Sequence, residues 1–106
     1  MIYRWNEVAK QQLDPLVTRQ AIHGAAMTVA RFEIAKGGGV PAHSHVNEQI
    51  SMVERGRVRY LVDGEESILG AGAAVHIPAN APHSAEVLED AVVIDLFSPP
   101  RTDWMK

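Results

Sequence analysis

The chain reads as all-β, a sandwich or barrel of short antiparallel strands, and three observations predict it. Extended apolar or alternating runs recur at intervals of about ten residues, set apart by Gly, Pro and Asp. One such break, Asp63-Gly64, lies between two extended runs, residues 57–62 and 65–69. Both of its residues accept positive φ, so the pair predicts a tight hairpin. The turn signals fall so close together that a helix has almost no place to form.

Taken in order, residues 5–8 read as an opening strand, and Asp14-Pro15 as a turn, because the residue before proline is pushed away from helix. A short strand follows over residues 18–23. In residues 27–34, Thr28, Ala30, Phe32 and Ile34 share one face while Met27, Val29, Arg31 and Glu33 share the other. The pattern leaves open which face is inside. Lys36-Gly-Gly-Gly39 is a flexible approach where the backbone can pass close to something bulky. Next comes a strand through residues 43–53, which Glu54-Arg55-Gly56 turns into the hairpin. Gly70-Ala-Gly72 turns again, residues 73–77 lead to a loop over 78–83, and two strands, 84–88 and 91–97, flank a turn at Glu89-Asp90. Ser98-Pro-Pro leaves the sheet, since consecutive prolines cannot donate to a ladder.

Composition narrows the functional classes. With 106 residues and 46% hydrophobic content, residues 1–106 are expected to form one small soluble domain, burying ~65% of its unfolded surface. A net charge of -3 with both signs scattered offers no basic patch for nucleic acid or an anionic membrane. Having no cysteine, the chain has no thiolate to offer a metal, which leaves nitrogen and oxygen donors as its candidates. No apolar run approaches ~18 residues, and the first residues lack the pattern of a signal peptide, so a cytoplasmic protein is expected. Trp5 and Trp104 mark apolar ends that need cover, and a homodimer is the expected assembly.

The chemistry gathers around residues 37–56. In a strand, side chains two apart share a face, so His43, His45, Asn47 and Gln49 would project together, and two imidazoles can grip one ion. Taken alone, this pair fits a surface turn as well as a metal site. A second stretch, residues 72–83, adds His83 beyond a turn marked by Pro78 and Asn80. The two stretches together resemble the cupin superfamily. The pattern G-x5-H-x-H-x3-E-x6-G is met at Gly37, His43, His45 and Gly56, with Gln49 where Glu is usual. The pattern G-x5-P-x-G-x2-H is met at Gly72, Pro78 and His83, with Asn80 where Gly is usual. The resemblance implies a jelly-roll β-barrel (double-stranded β-helix) with a metal-binding core over about residues 28–97.

Asp95 interrupts the apolar run 92–97, so an ionised carboxylate there needs a partner. It either caps a loop or pairs with an arginine outside the barrel, or it points inward as a general acid or base. Arg101 is either solvated or held over the mouth as a bidentate carboxylate clamp. His23 reads as structural or exposed, and His76 as lining the pocket or lying on the outer surface. Met27, Arg31, Glu33, Met52, Arg57, Arg59 and Tyr60 include candidates for the lining that pattern does not assign to a face.

His43-Ser-His45, Glu48-Gln49-Ile50, Ile77-Pro78, Pro82-His83-Ser84 and Asp95-Leu-Phe97-Ser-Pro-Pro-Arg101 are similar to the small single-domain cupins of the KdgF type, over about residues 28–104. That resemblance implies action on unsaturated uronates released from pectin or alginate. It further implies one divalent transition metal ion (Ni, Zn, Fe or Mn) on His43, His45, Gln49 and His83, and a substrate site lined by Asp95, Phe97 and Arg101. The implied reaction is a metal-dependent, isomerase- or lyase-like ring opening of a 4,5-unsaturated uronate to its linear keto form. Two other readings stay open, an Fe(II)-dependent dioxygenase and a non-catalytic binder of sugars or metabolites. Three neutral imidazoles and a neutral amide would leave an ion its full +2 charge, a stronger Lewis acid in a weaker trap than the usual glutamate gives. Glu48 would restore the anionic site if a bulge shifted the strand.

Overall fold

The computed structural model describes residues 1–105 and contains eight strands, all paired antiparallel. These are β1 (Gln11–Asp14), β2 (Val17–His23), β3 (Thr28–Ile34), β4 (Gly39–His43), β5 (Glu48–Val62), β6 (Glu65–Gly70), β7 (Ala74–Ile77) and β8 (His83–Ser98). Two long strands organise the rest. The second half of β8 pairs with β3 and with the first half of β5, which in turn pairs with β7; β2 and β1 extend this layer beyond β3. The first half of β8 pairs with β4 and with the second half of β5, which pairs with β6. One sheet is thus bent into two layers, a sandwich of the kind that the turn spacing predicts and the jelly roll that the resemblance implies.

The bend is made where a turn was expected. Register slips between Val53 and Val58 of β5, opposite Glu89 and Val92 of β8. Glu54-Arg55-Gly56 and Glu89-Asp90 therefore do not end strands; they are facing irregularities inside two continuous ones, and the two expected strands 84–88 and 91–97 are one. Bulges bend a strand without ending its ladder. Gly56 has φ +86, and a Cβ there would collide with the Asp90 carbonyl, so only glycine lets the strands cross this closely. Asp63 and Gly64, with φ of 50° and 80°, close the β5–β6 hairpin as expected.

Residues 5–8 are also not a strand. Trp5–Glu7 forms a single 3-10 turn, because the buried amide of Gln20 takes the Trp5 and Val8 carbonyls and draws the segment across the outer face of β2. The inner face of β3 is Thr28, Ala30, Phe32 and Ile34. With Val17, Val53, Val58, Tyr60, Val87, Ala91, Val93 and Phe97 these build the apolar core, Thr28 closing its upper rim. Arg57, Arg59, Arg31 and Glu33 lie outside in surface ion pairs, Met27 and Met52 are exposed, and Tyr60 lies inside. No described helix is long and apolar enough to cross a membrane.

Candidate metal centre

Cross-strand register orders the inner face in rows. Thr28, Phe97, Gln49 and Ile77 form the uppermost; Ala30, Asp95, Ser51 and Val75 come next; Phe32, Val93 and Val53 lie below. Polar side chains therefore sit at one end of the core and apolar ones at the other. Between the two layers runs a cavity of about 280 Å³, lined at its polar end by His43, His45, Gln49, His83, Asp95 and Arg101 and reaching down to Phe32, Val58 and Val93.

His43 and His45 do not share a strand face. β4 ends at His43, and His45 lies in the loop before β5. The loop nevertheless turns His45 back, and His83, the register partner of His43, completes a cluster. Ring centroids are 4.3 Å (His43–His83), 4.9 Å (His45–His83) and 5.4 Å (His43–His45) apart. One ring nitrogen from each lies within 4.8 Å of the others, so the three histidines could hold a metal ion.

Their tautomers follow from hydrogen bonding. Nδ1 of His43, His45 and His83 lies 2.9, 3.0 and 2.8 Å from the carbonyls of Pro41, Asn47 and Ala81. A carbonyl only accepts, so each Nδ1 carries the hydrogen and each Nε2 keeps its lone pair for the cluster. Burial, the Arg101 charge and the neighbouring rings hold His45 below its ordinary pKa; burial, with His43 and Arg101, does the same for His83. Neutral imidazoles are the form that binds metal.

Strand parity separates the two fourth-donor candidates. Glu48 points outward and is exposed, its Oε2 2.6 Å from His76 Nε2, which also places His76 on the outer surface. Gln49 is buried, with Oε1 3.1 Å from His45 Nε2. Two adjacent donors ~2.1 Å from one ion are separated by roughly that distance. The donor set present thus fits a divalent ion.

Asp95 is buried beside this set. It is the cross-strand partner of Ser51, and Oδ1 has no hydrogen-bond partner. Burial pushes the carboxyl up to about 6, against the pull of Ser51, Gln49 and the Arg101 charge. Ser51 Oγ lies 2.6 Å from the Tyr60 hydroxyl, whose pKa is raised by burial and by Asp95. Phe97 packs edge-on to His45, at 5.6 Å between centroids.

The tail after β8 folds back over the mouth. Asn47 donates to the carbonyls of Pro99 (2.6 Å) and Pro100 (3.3 Å), and the Arg101 amide donates to Thr28 Oγ1 at 2.9 Å. His23 Nδ1 lies 2.8 Å from that same hydroxyl, so His23 has a structural role. The Arg101 guanidinium is not free. Its Nε and Nη2 donate to the two Asp103 oxygens at 3.1 and 2.9 Å, and it stacks on Trp104 at 4.2 Å. Arg19, which the sequence did not single out, lies 3.9 Å from the same Trp104 ring and lines the cavity. The signal was an arginine sharing strand parity with the core residue Val17.

Residues 30–97 match the Cupin domain family. The chain is a cupin. Over 73 residues this cupin is 37% identical to the pectin degradation protein KdgF of Dickeya dadantii (strain 3937), a match covering 67% of the chain and 66%, just under two thirds, of that relative. The structure of KdgF from Halomonas sp. superimposes with a TM-score of 0.92 at 30% identity, covering 98% of this chain and 97% of that one. An RmlC-like cupin from Shewanella frigidimarina NCIMB 400 superimposes with a TM-score of 0.91 at 25% identity, with coverages of 96% and 93%.

Proposed function

We propose that this cupin holds one divalent transition metal ion on His43, His45, His83 and Gln49. There it opens the ring of a 4,5-unsaturated uronate to the linear keto acid, a step in the breakdown of pectin or alginate. The observation that carries the reading is Asp95: a buried carboxyl with an unpartnered oxygen, lining the same cavity as the histidine cluster. Likeness to two proteins named KdgF supports the substrate class.

Bound there, the ion supplies Lewis-acid polarisation of a sugar hydroxyl or ring oxygen. Asp95 moves the protons. The anomeric hydroxyl loses its proton as the bond from C1 to the ring oxygen breaks, the ring oxygen becomes an enol, and a proton returned to C4 converts the enol into the ketone. No oxidant is consumed. A buried carboxyl with a free oxygen can both take and return a proton, and such transfer is worth about 10² to 10⁴ in rate. Phe97 packs against the ring, and Arg101 holds the tail that closes the mouth.

The test pairs metal analysis by mass spectrometry with anaerobic loss of ultraviolet absorbance on adding 4,5-unsaturated galacturonate. Loss that tracks metal content and stops in chelated protein is expected; metal without any absorbance change would remove the substrate assignment. Asp95→Asn is expected to retain metal and to lose about 10² to 10⁴ in turnover. Full turnover in that variant would dismiss Asp95 from its role.

A further inference from the structure

Two guanidinium groups lie against Trp104, and they are not equivalent. Arg101 spends Nε and Nη2 on the carboxylate of Asp103, so its charge already has a direct ion-pair partner. Arg19 donates its Nε and Nη2 to Gln11 Oε1 at 3.2 and 3.0 Å. That partner is a neutral amide, and among the described residues no carboxylate forms an ion pair with Arg19. Register places Arg19 on the inner face, opposite Phe32, in the wall of the cavity.

We propose that Arg19, not Arg101, supplies the uncompensated positive charge that selects a carboxylate-bearing sugar over a neutral one. The inference rests on the function proposed above and names a residue for its specificity. Gln11 orients the guanidinium without cancelling its charge, and Trp104 supports its flat face. Burial first and then the like charge of Arg101 weigh against the Arg19 cation, Asp103 offsets them only in part and forms no ion pair with Arg19, and an incoming anion relieves the remaining cost. Asp103 keeps Arg101 in place beside Phe97 and Trp104 and prevents two bare cations from facing each other.

The test compares 4,5-unsaturated galacturonate with its methyl ester, which lacks the charge, in wild type, R19M and R19K. Methionine keeps most of the packing on Trp104 and removes the charge. For the acid, KM is expected to rise about 10- to 100-fold in R19M, the range for a lost charge-assisted hydrogen bond, with kcat little changed. The ester's KM should rise far less than the acid's, a circular-dichroism melt checks that the variant folds, and R19K should recover part of the preference. An R19M protein that still prefers the acid as wild type does would overturn the proposal.

If wild type turns over neither compound, the reaction falls and binding decides Arg19 separately. In a Trp5→Phe background, Trp104 fluorescence is titrated with galacturonate and with methyl galactoside. A saturable change with galacturonate alone, lost in R19M, supports Arg19. Equal responses to both sugars, no response, or a response that survives R19M, rejects it.

Discussion

At the scale of single residues, the site turns on a difference of one atom. Gln49 occupies the place where a glutamate would bring a negative charge, and parity keeps the neighbouring Glu48 outside with His76. The sequence left these two open because a single bulge would have exchanged them. β5 does bulge, but beyond Val53, after Gln49 has been set in register with Phe97 and Ile77. Gln49→Glu therefore has a two-sided expected outcome. The added carboxylate should slow loss of metal to a chelator, and by lowering the effective charge of the site it should reduce turnover about tenfold or more. Both readings come from one preparation, by timed metal analysis and by absorbance; faster metal loss together with unchanged turnover would contradict the electrostatic account. Arg19 escaped the sequence for a different reason. Arginine on the core side of an edge-proximal strand looks like any solvated residue until the tail carrying Trp104 is folded over it.

At the scale of elements, the legible features were those whose chemistry has one outcome. Asp63-Gly64 demands positive φ twice and could only be a hairpin. Glu54-Arg55-Gly56 and Glu89-Asp90 were ambiguous, because a turn and a bulge favour the same residues and differ only in whether a partner strand continues alongside. Gly56→Ala tests the bend directly. It places a side chain at φ +86 against the Asp90 carbonyl, so destabilisation of about 3 kcal/mol or more is expected, measured by denaturant unfolding. A loss below about 1 kcal/mol would mean the crossing can relax without glycine. The tail is a second element that the sequence showed only as a departure from the sheet. Its anchor is Asn47, which the sequence grouped with the metal ligands by parity and which instead reaches the Pro99 and Pro100 carbonyls. Asn47→Ala leaves those carbonyls without their donor while its own carbonyl still holds His45. Stability should fall by about 1–3 kcal/mol and KM should rise, with metal content unchanged. Loss of metal in this variant would show that Asn47 serves the ion rather than the tail.

At the scale of the whole molecule, the candidate donors are drawn from separate parts of the chain. His43 closes β4, His45 lies in the loop that follows, Gln49 opens β5 and His83 opens β8. His43 and His83 belong to one layer of the bent sheet and Gln49 to the other, so an ion held by all four would tie the layers together at their open end. The apolar core holds them at the opposite end, around Phe32, Val93, Val53 and Val58. Unfolded chain cannot present this donor set, so binding is linked to stability. At a free metal concentration ~100 times Kd the folded state gains about 2.7 kcal/mol, which for a domain of this size corresponds to a rise in Tm of roughly 10 to 20 °C. Stripping the metal should lower Tm by about that amount, re-addition should restore it, and His83→Ala should melt at one temperature with or without chelator. The measurement needs no substrate, so it judges the metal centre apart from the reaction. A chelated wild-type protein that melts where the metal-loaded one does would mean that the cluster of three histidines binds no ion of consequence to the fold.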